Sequence, residues 1–264
     1  MATLVLFHAH PDDEAVATAG VMAQAAQRGH RVVLVLATRG ERGEVPDGFL
    51  APGELLSERR VAETEAAGKV LGVARIEYLG YEDSGMMGTP GNEAPESFWQ
   101  ADVEEAAGRL AAILDEERPD VFTIYDANGA YGHPDHIQVH RVGLRAAELA
   151  GVREVYEATI NRDDVEQLVA DAADLGIDLG EGEAVGVAPL EIGVPRGELT
   201  TRVDVEAYSD VKRASMRAHA SQIAETSFFL ALPDEAFRRA FGTEWFIHRG
   251  VPRPVAVLET ELMP

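Results

Sequence analysis

The sequence predicts an α/β fold in which a mostly parallel sheet carries helices on both faces. Two observations support this: five short apolar runs alternate with helical segments over the first 160 residues, and a polar loop follows each of the first four runs. Such alternation is typical of parallel sheets, because the crossover between two parallel strands needs a helix. We expect the strand order 3-2-1-4-5, which opens a crevice between strands one and four.

The five strands are expected where apolar and β-branched residues run without helical spacing. These runs lie at residues 3–7, 31–37, 75–79, 120–125 and 154–160. Helices are expected between them, at residues 15–28, 54–71, 96–117 and 136–150. Gly29 follows the first helix as a C-terminal stop, and Pro119 closes the third.

The pattern becomes less regular in the last hundred residues. We expect a helix, an acidic glycine-rich loop, an edge strand, a second helix capped by Ser209 and a final strand, at residues 162–175, 176–197, 203–207, 209–224 and 244–248. We interpret residues 1–264 as a single domain. It has an α/β core over 1–160 and a variable C-terminal part over 161–264 that shapes the substrate pocket.

The composition excludes several classes of partner. The chain carries 46 acidic and 23 basic residues, a formal charge of −23, and the bases are scattered. It therefore lacks the basic patch that a nucleic-acid backbone requires, and a neutral or amine-bearing small molecule is the expected partner. No apolar run approaches the roughly 18 residues that span a bilayer, and no signal region is seen, so we expect a cytoplasmic protein that binds no membrane. The sequence does not indicate an oligomeric state.

The first polar cluster, His8-Ala9-His10-Pro11-Asp12-Asp13-Glu14, follows the first strand. His10 and Asp13 bracket one tight turn, so both can face a single divalent cation, while Asp12 between them is free to act as a base. The acids also suit the first turn of a helix, where they face its dipole favourably. That structural interpretation does not account for His10. Because the chain has no cysteine, any metal must be held by His, Asp or Glu.

The second cluster, residues 126–136, follows the fourth strand and repeats the order strand, His-Pro-Asp, helix. If the crevice lies between strands one and four, His10, Asp13 and His136 converge. Two histidines and one carboxylate suit catalytic zinc, with one position left for water, although the same donors also admit Fe²⁺. An alternative pairs His136 with His140 on one helical face, but it leaves the first cluster unexplained.

This arrangement predicts the hydrolysis of an amide or ester. Zinc lowers the pKa of bound water to about 7, and Asp12 is placed to take the second proton as general base. His133 or Tyr131 is placed to stabilise the oxyanion of a tetrahedral intermediate. We expect Asp135 to hold His133 in one tautomer and to favour its protonated form.

These motifs resemble the PIG-L/LmbE family of zinc-dependent N-deacetylases. The resemblance rests on Ala9 before His10-Pro11-Asp12-Asp13-Glu14 and on the later His133-Pro134-Asp135-His136. Three segments resemble the branch that handles mycothiol, namely Arg60-Val61-Ala62-Glu63, Asp83-Ser84-Gly85-Met86 and Asn128-Gly129-Ala130-Tyr131-Gly132. His219-Ala220-Ser221-Gln222 is similar to a C-terminal element of that branch, whereas residues 162–197 depart most from it.

The resemblance implies a Rossmann-like fold with one zinc ion per chain on His10, Asp13 and His136. It also implies Asp12 as base, His133 as acid or oxyanion partner, and Tyr131 near the oxyanion. Arg60 and Asp83 would hold the sugar, and we also place Glu14 and Asn128 in the substrate site. We interpret His8 as structural or as supporting the ligands, and assign ordinary surface or packing roles to His30, His219 and His248.

The expected function is zinc-dependent removal of an N-acetyl group from a GlcNAc-type amino sugar. One alternative is an amidase of mycothiol S-conjugates or of a natural-product intermediate. A second alternative is a non-catalytic α/β module that binds a nucleotide or sugar through its glycine-rich loops.

Overall fold

A computed structural model describes residues 1–171 and 192–263 of the chain. Its seven strands are Thr3–His8 (β1), Arg31–Leu36 (β2), Arg75–Tyr78 (β3), Val121–Tyr125 (β4), Val155–Thr159 (β5), Thr201–Asp204 (β6) and Thr243–His248 (β7). They form one sheet in the order β3-β2-β1-β4-β5-β7-β6. The first five strands pair in parallel, which confirms the predicted order, and β7 and β6 extend the sheet in antiparallel pairing.

Two groups of helices cover this sheet. The helices are Asp13–Ala17 (α1), Ala19–Gln27 (α2), Leu56–Leu71 (α3), Val103–Glu117 (α4), Gly129–Gly132 (α5), Pro134–Ala150 (α6), Arg162–Ala170 (α7), Ser209–Ala218 (α8), Phe228–Ala231 (α9) and Asp234–Phe241 (α10). α4 packs against α6, while α8 packs against α2 and α3. Because right-handed crossovers that run in opposite directions leave opposite faces of a sheet, the two groups lie on different faces.

The predicted helix over 15–28 is broken at Thr18, whose φ is −138°. The Thr18 hydroxyl lies 2.9 Å from Nε2 of His8. The break leaves the first N–H groups of α2 without partners inside the helix. Those of Gly20 and Val21 donate to the carboxylate of Glu244 at 2.8 and 2.9 Å. A residue from the last strand thus caps the helix, which the local sequence pattern does not reveal.

Two other predicted helices have different limits in the structure. α4 begins at Val103 rather than at residue 96, because Asp102 caps it by accepting the N–H of Glu105 at 2.9 Å. α8 ends at Ala218 rather than near residue 224, and Ser209 is its first residue instead of its cap. The predicted helix over 162–175 extends to Ala170. Residues 172–175 and residues 176–191 of the expected loop over 176–197 lie outside the described part of the chain.

The sheet places its two polar loops side by side. β1 pairs with β4 through Leu4 opposite Val121, and the residues from Leu4 to Phe7 are at most 1% exposed. The loops that leave the carboxyl ends of these two strands therefore share one edge of the sheet. Among the described residues, no helix is long and apolar enough to cross a membrane.

Candidate active site

The turn after β1 has an unusual backbone. Asp12 is the N-cap of α1 and has φ +97° and ψ −27°, a left-handed conformation that side chains other than glycine rarely adopt. Two side chains hold the turn: Asp13 accepts the N–H of His10 at 2.8 Å, and Glu14 accepts the N–H of Asp12 at 3.1 Å. These contacts stabilise a strained backbone at a site rich in polar groups.

The loop after β4 brings the second cluster against the first. Asp126 organises it by accepting the N–H groups of Asn128 and Ala130 at 2.8 and 3.1 Å. Gly129 has φ +62°, and a Cβ there would lie 2.4 Å from Cβ of His136. Only glycine therefore allows this loop to approach α6 closely enough to bring His136 to the carboxyl edge of the sheet.

The three predicted metal ligands converge. The carboxylate of Asp13 lies 3.5 Å from Nδ1 of His10 and 3.2 Å from Nε2 of His136. Tetrahedral ligands with metal–ligand distances of roughly 2.1 Å are about 3.4 Å apart, so these spacings fit a divalent cation. His133 is close enough to His10 and His136 for ligand atoms of all three to lie within 4.8 Å of one another.

The charges of the site also fit a cation. Burial by itself would raise the pKa of Asp13, but the imidazoles of His136 and His10 outweigh it and hold that pKa well below its usual range. Burial by itself would lower the pKa of His10, yet the carboxylates of Asp83, Asp13 and Asp135 raise it well above the ordinary value. A buried imidazole among carboxylates thus retains a proton in the metal-free protein, at a place where a cation would otherwise balance the charge.

Asp135 holds His133 in one tautomer, as predicted, but through its main chain and not through its carboxylate. Its fully buried carboxylate lies 3.0 Å from Nε2 of His10 and accepts the N–H and the hydroxyl of Ser84. The main chain of Asp135 fixes His133 instead, because its N–H donates to Nδ1 of His133 at 3.1 Å. Asp135 therefore orients the predicted ligand His10 through Nε2 of its ring, as carboxylates often do at metal sites.

The carboxylate of Asp135 favours protonation of His133, as predicted, but this effect is outweighed. Burial, reinforced by the neighbouring imidazoles of His10 and His136, lowers the pKa of His133 to about 3. Since Nδ1 of His133 accepts a main-chain N–H, the neutral ring carries its proton on Nε2. His133 is consequently a neutral hydrogen-bond donor beside the ligands.

Asp12 faces Arg60. Its Oδ1 lies 3.2 Å from Nη2 of Arg60, and burial raises the pKa of Asp12 to about 6 although the guanidinium opposes the shift. Arg60 is itself buried and donates to the carbonyl oxygens of Pro11 and Gly40. Arg60, which we expected to bind sugar, thus contacts the turn that carries Asp12, the predicted base.

The remaining predicted residues differ in position. The Tyr131 hydroxyl lies 3.4 Å from Nε2 of His136, and burial raises the pKa of Tyr131 above its ordinary value. Asp83 lies 3.5 Å from Nε2 of His10. Asn128 lies with Tyr131 on the wall of a cavity of about 630 Å³ next to the site. Glu14 is fully buried and is therefore not placed to contact substrate, because its carboxylate is occupied by N–H groups of the protein.

Two residues of the site were missed in the sequence. The ring of Tyr125 stacks on His136 with centroids 4.4 Å apart and 7° between the planes, and its hydroxyl lies 2.6 Å from Nδ1 of His8. Tyr125 ends the fourth apolar run. That run predicted a strand, but it did not indicate that Tyr125 contacts His136. His219, expected in an ordinary packing role, is fully buried, and its Nε2 lies 2.5 Å from Oε1 of Glu14.

The alternative metal pair of His136 and His140 is not supported. Among the residues that the structure describes, two groups have ligand atoms close enough together to hold a metal. One contains His10, His133 and His136, the other contains His10, Asp83, His133 and Asp135, and neither contains His140 or Asp13. The fold and the site together define a class: an α/β protein with a buried His and Asp cluster, a candidate metal site, at the carboxyl edge of its sheet, as in metal-dependent hydrolases.

Comparison with known proteins identifies the family. The family model described as PIG-L: GlcNAc-PI de-N-acetylase matches residues 5–147. The 1D-myo-inositol 2-acetamido-2-deoxy-alpha-D-glucopyranoside deacetylase of Acidothermus cellulolyticus is 43% identical over 256 residues, which cover 93% of this chain and 88% of that protein. The chain belongs to the PIG-L family, and the prediction of a deacetylase-type enzyme is confirmed.

Solved structures share the fold. The N,N'-diacetylchitobiose deacetylase of Pyrococcus horikoshii superposes with a TM-score of 0.57 at 22% identity, covering 94% of this chain and 83% of that one. The 4-carboxy-2-hydroxymuconate hydratase of Pseudomonas putida KT2440 gives 0.59 at 18% identity, covering 98% and 100%. Because a deacetylase and a hydratase both match, the fold by itself does not determine the reaction.

Proposed function

We propose that this chain is a zinc-dependent hydrolase that removes the acetyl group from GlcNAc-inositol, a GlcNAc-type amino sugar. The observation that carries the proposal is the contact of one carboxylate, Asp13, with both His10 and His136, next to a separate carboxylate, Asp12. The name of the Acidothermus relative gives the substrate, and its similarity extends over nearly the whole chain. His, Asp and His also admit Fe²⁺, so zinc is the part of the proposal that metal analysis must establish.

Zinc, when bound by these three residues, supplies a water of lowered pKa and polarises the substrate carbonyl. Asp12 takes the proton of the attacking water as general base. With a pKa of about 6, its carboxylate is ionised at pH 7 and still accepts a proton readily. Arg60 contacts the same carboxylate and keeps it directed at the site.

His133 and Tyr131 act on the other side of the scissile bond. The Nε2–H of neutral His133 and the Tyr131 hydroxyl are proposed to donate to the oxyanion that forms when water adds to the acetyl carbon. With a pKa of about 3, the ring of His133 is neutral at pH 7 and holds no imidazolium proton to give to the amine, so donation of a hydrogen bond to the oxyanion suits it better. When the C–N bond breaks, protonated Asp12 returns its proton to the leaving amine, and acetate is released.

The sugar contacts proposed for Asp83 and Asn128 rest on their positions around the proposed ligands, whereas Arg60 is already bound to the turn of the first motif. The Asp83 carboxylate accepts the N–H of Gly85 at 2.7 Å, which fixes it next to His10. Carboxylate and amide groups are suited to a polyhydroxylated neutral substrate, which also agrees with a chain of charge −23. Binding of nucleic acid is not part of the proposal.

We further propose that residues 1–264 act as one cytoplasmic domain in which the part over 161–264 shapes the substrate pocket. Two observations support the proposal that both parts belong to one domain. β6 and β7 join the same sheet as the core strands, and His219 reaches Glu14 in the first motif.

The test compares two substrates and one chelation step. Release of free acetate from GlcNAc-inositol supports the proposal, whereas preferential cleavage of a bimane conjugate of mycothiol would favour the amidase alternative. A non-catalytic sugar- or nucleotide-binding module would hydrolyse neither. About one zinc per chain, with activity lost on chelation and restored by added zinc, is the expected metal result.

A further inference from the structure

The C-terminal part of the chain contributes a buried contact to the first motif. His219 follows α8, and its ring is fully buried with Nε2 at 2.5 Å from Oε1 of Glu14. The two residues are 205 positions apart in the sequence. Neither side chain has an exposed surface, so neither is placed to touch a substrate.

Glu14 connects His219 to the main chain of Asp12, the proposed base. Its second oxygen, Oε2, accepts the main-chain N–H of Asp12 at 3.1 Å. Asp12 has the strained φ of +97°, so its backbone needs an external partner to remain in this conformation. The side chain of Asp12 leaves that backbone toward Arg60, and the direction of its carboxylate depends on the conformation that Glu14 holds.

The segment that carries His219 is itself anchored. Two residues further on, the main-chain N–H and the hydroxyl of Ser221 donate to the carboxylate of Glu63 at 2.9 and 2.6 Å. Glu63 lies on α3, three residues after Arg60, the residue that contacts Asp12 directly. The helix α3 therefore holds two groups in place. One is the Arg60 guanidinium beside Asp12, and the other is the segment of His219, which contacts Asp12 through Glu14.

We propose that His219 and Glu14 form a positioning pair that sets the backbone of Asp12 and thereby directs its carboxylate at the attacking water. This inference rests on the proposed function for its kinetic consequence, but the geometry it asserts does not depend on the substrate. His219 acts here through Glu14 and is not a catalytic residue. The turn of the first motif is thus completed by the C-terminal part of the chain.

The kinetic test replaces His219 by Leu, which removes the donor, and by Gln, whose amide nitrogen can take the place of Nε2. In His219→Leu, kcat should fall by about 10- to 100-fold while KM changes less than about threefold, with zinc content unchanged. His219→Gln should recover most of kcat. His248→Leu is the matched control, because His248 also pairs with glutamates, Glu154 and Glu259, away from the motif, and its kcat should stay at the wild-type value.

A second measurement follows amide hydrogen exchange in the metal-free protein and needs no substrate. His219→Leu should raise exchange in a peptide covering residues 11–16, which contains the Asp12 N–H, while peptides from β2 stay protected as in the wild type. The proposal is overturned if exchange at 11–16 is unchanged, or rises only together with that of β2. It is also overturned if His219→Leu retains its kcat, or if His219→Gln is as impaired as His219→Leu. Failure of the wild type to release acetate would instead refute the proposed function and leave the exchange result to decide this inference.

Discussion

The main-chain N–H of Asp135 donates to Nδ1 of His133 at 3.1 Å, while the carboxylate of Asp135 points away from that ring and lies 3.0 Å from Nε2 of His10. One residue therefore orients two imidazoles by two different groups. A substitution of its side chain should affect His10 and leave the tautomer of His133 unchanged, because only the main chain contacts His133.

Asp135→Asn should weaken metal binding by about 10- to 100-fold, since removal of a carboxylate behind a ligating imidazole typically has that effect. Competition with a chromophoric chelator measures the affinity. The exposed Asp115→Asn on α4 is the control for loss of one negative charge. Unchanged affinity in Asp135→Asn would show that the contact with His10 does not support a metal ligand.

Asp12→Asn should retain zinc and lose kcat by about 10²- to 10⁴-fold, the range expected when a general base is removed. Asparagine is the suitable replacement because it tolerates positive φ, so the turn should keep its backbone. Metal analysis and initial rates at saturating substrate measure the two quantities. Loss of zinc from this variant would instead identify Asp12 as a ligand.

His136→Ala should strongly reduce the zinc content, because it removes a ligand whose Nε2 lies 3.2 Å from Asp13. His140→Ala on the same helix is the matched control and should keep about one zinc per chain. Elemental analysis after gel filtration compares the two variants. A normal zinc content in His136→Ala would overturn the proposed ligand set.

Much of the fold, and the convergence of His10, Asp13 and His136, could be predicted because the relevant signals are local. Apolar runs and helical segments alternate, and short parallel crossovers leave few possible strand orders, so β1 and β4 were correctly expected to be neighbours. His10, Asp13 and His136 belong to two short motifs at the ends of those strands, and pairing of the strands brings the motifs together.

The parts that could not be predicted depend on contacts between distant segments. The burial of Glu14 against His219 and the capping of α2 by Glu244 join residues more than 200 positions apart. The direction of the Asp135 carboxylate is decided by Ser84, which donates to it from the loop after β3. No sequence period encodes such side-chain partners, so the sequence revealed these residues without their roles.

Glu117 should make the stability of the protein depend on pH in the acid range. Its carboxylate accepts from Arg31 at 2.7 Å and from Arg75 at 2.8 Å, and these hydrogen bonds, that of Arg31 above all, lower the pKa of Glu117 to about 2. A depressed carboxyl pKa stabilises the folded state fully above the unfolded pKa of about 4.5, and this stabilisation is lost as the pH falls toward 2.

Glu117→Gln should therefore lower the free energy of unfolding by about 1–2 kcal/mol at pH 7. This figure allows for the screening of the ion pairs by solvent, since both arginines are partly exposed. The difference from the wild type should narrow as the pH is reduced from 5 to 3, because only the wild type loses an ionised carboxylate. Urea unfolding at several pH values measures both free energies. Glu116→Gln is the control: Glu116 also contacts Arg75 but is 63% exposed, so it should show little difference from the wild type at any pH. A gap between Glu117→Gln and the wild type that stays constant down to pH 3 would contradict the prediction.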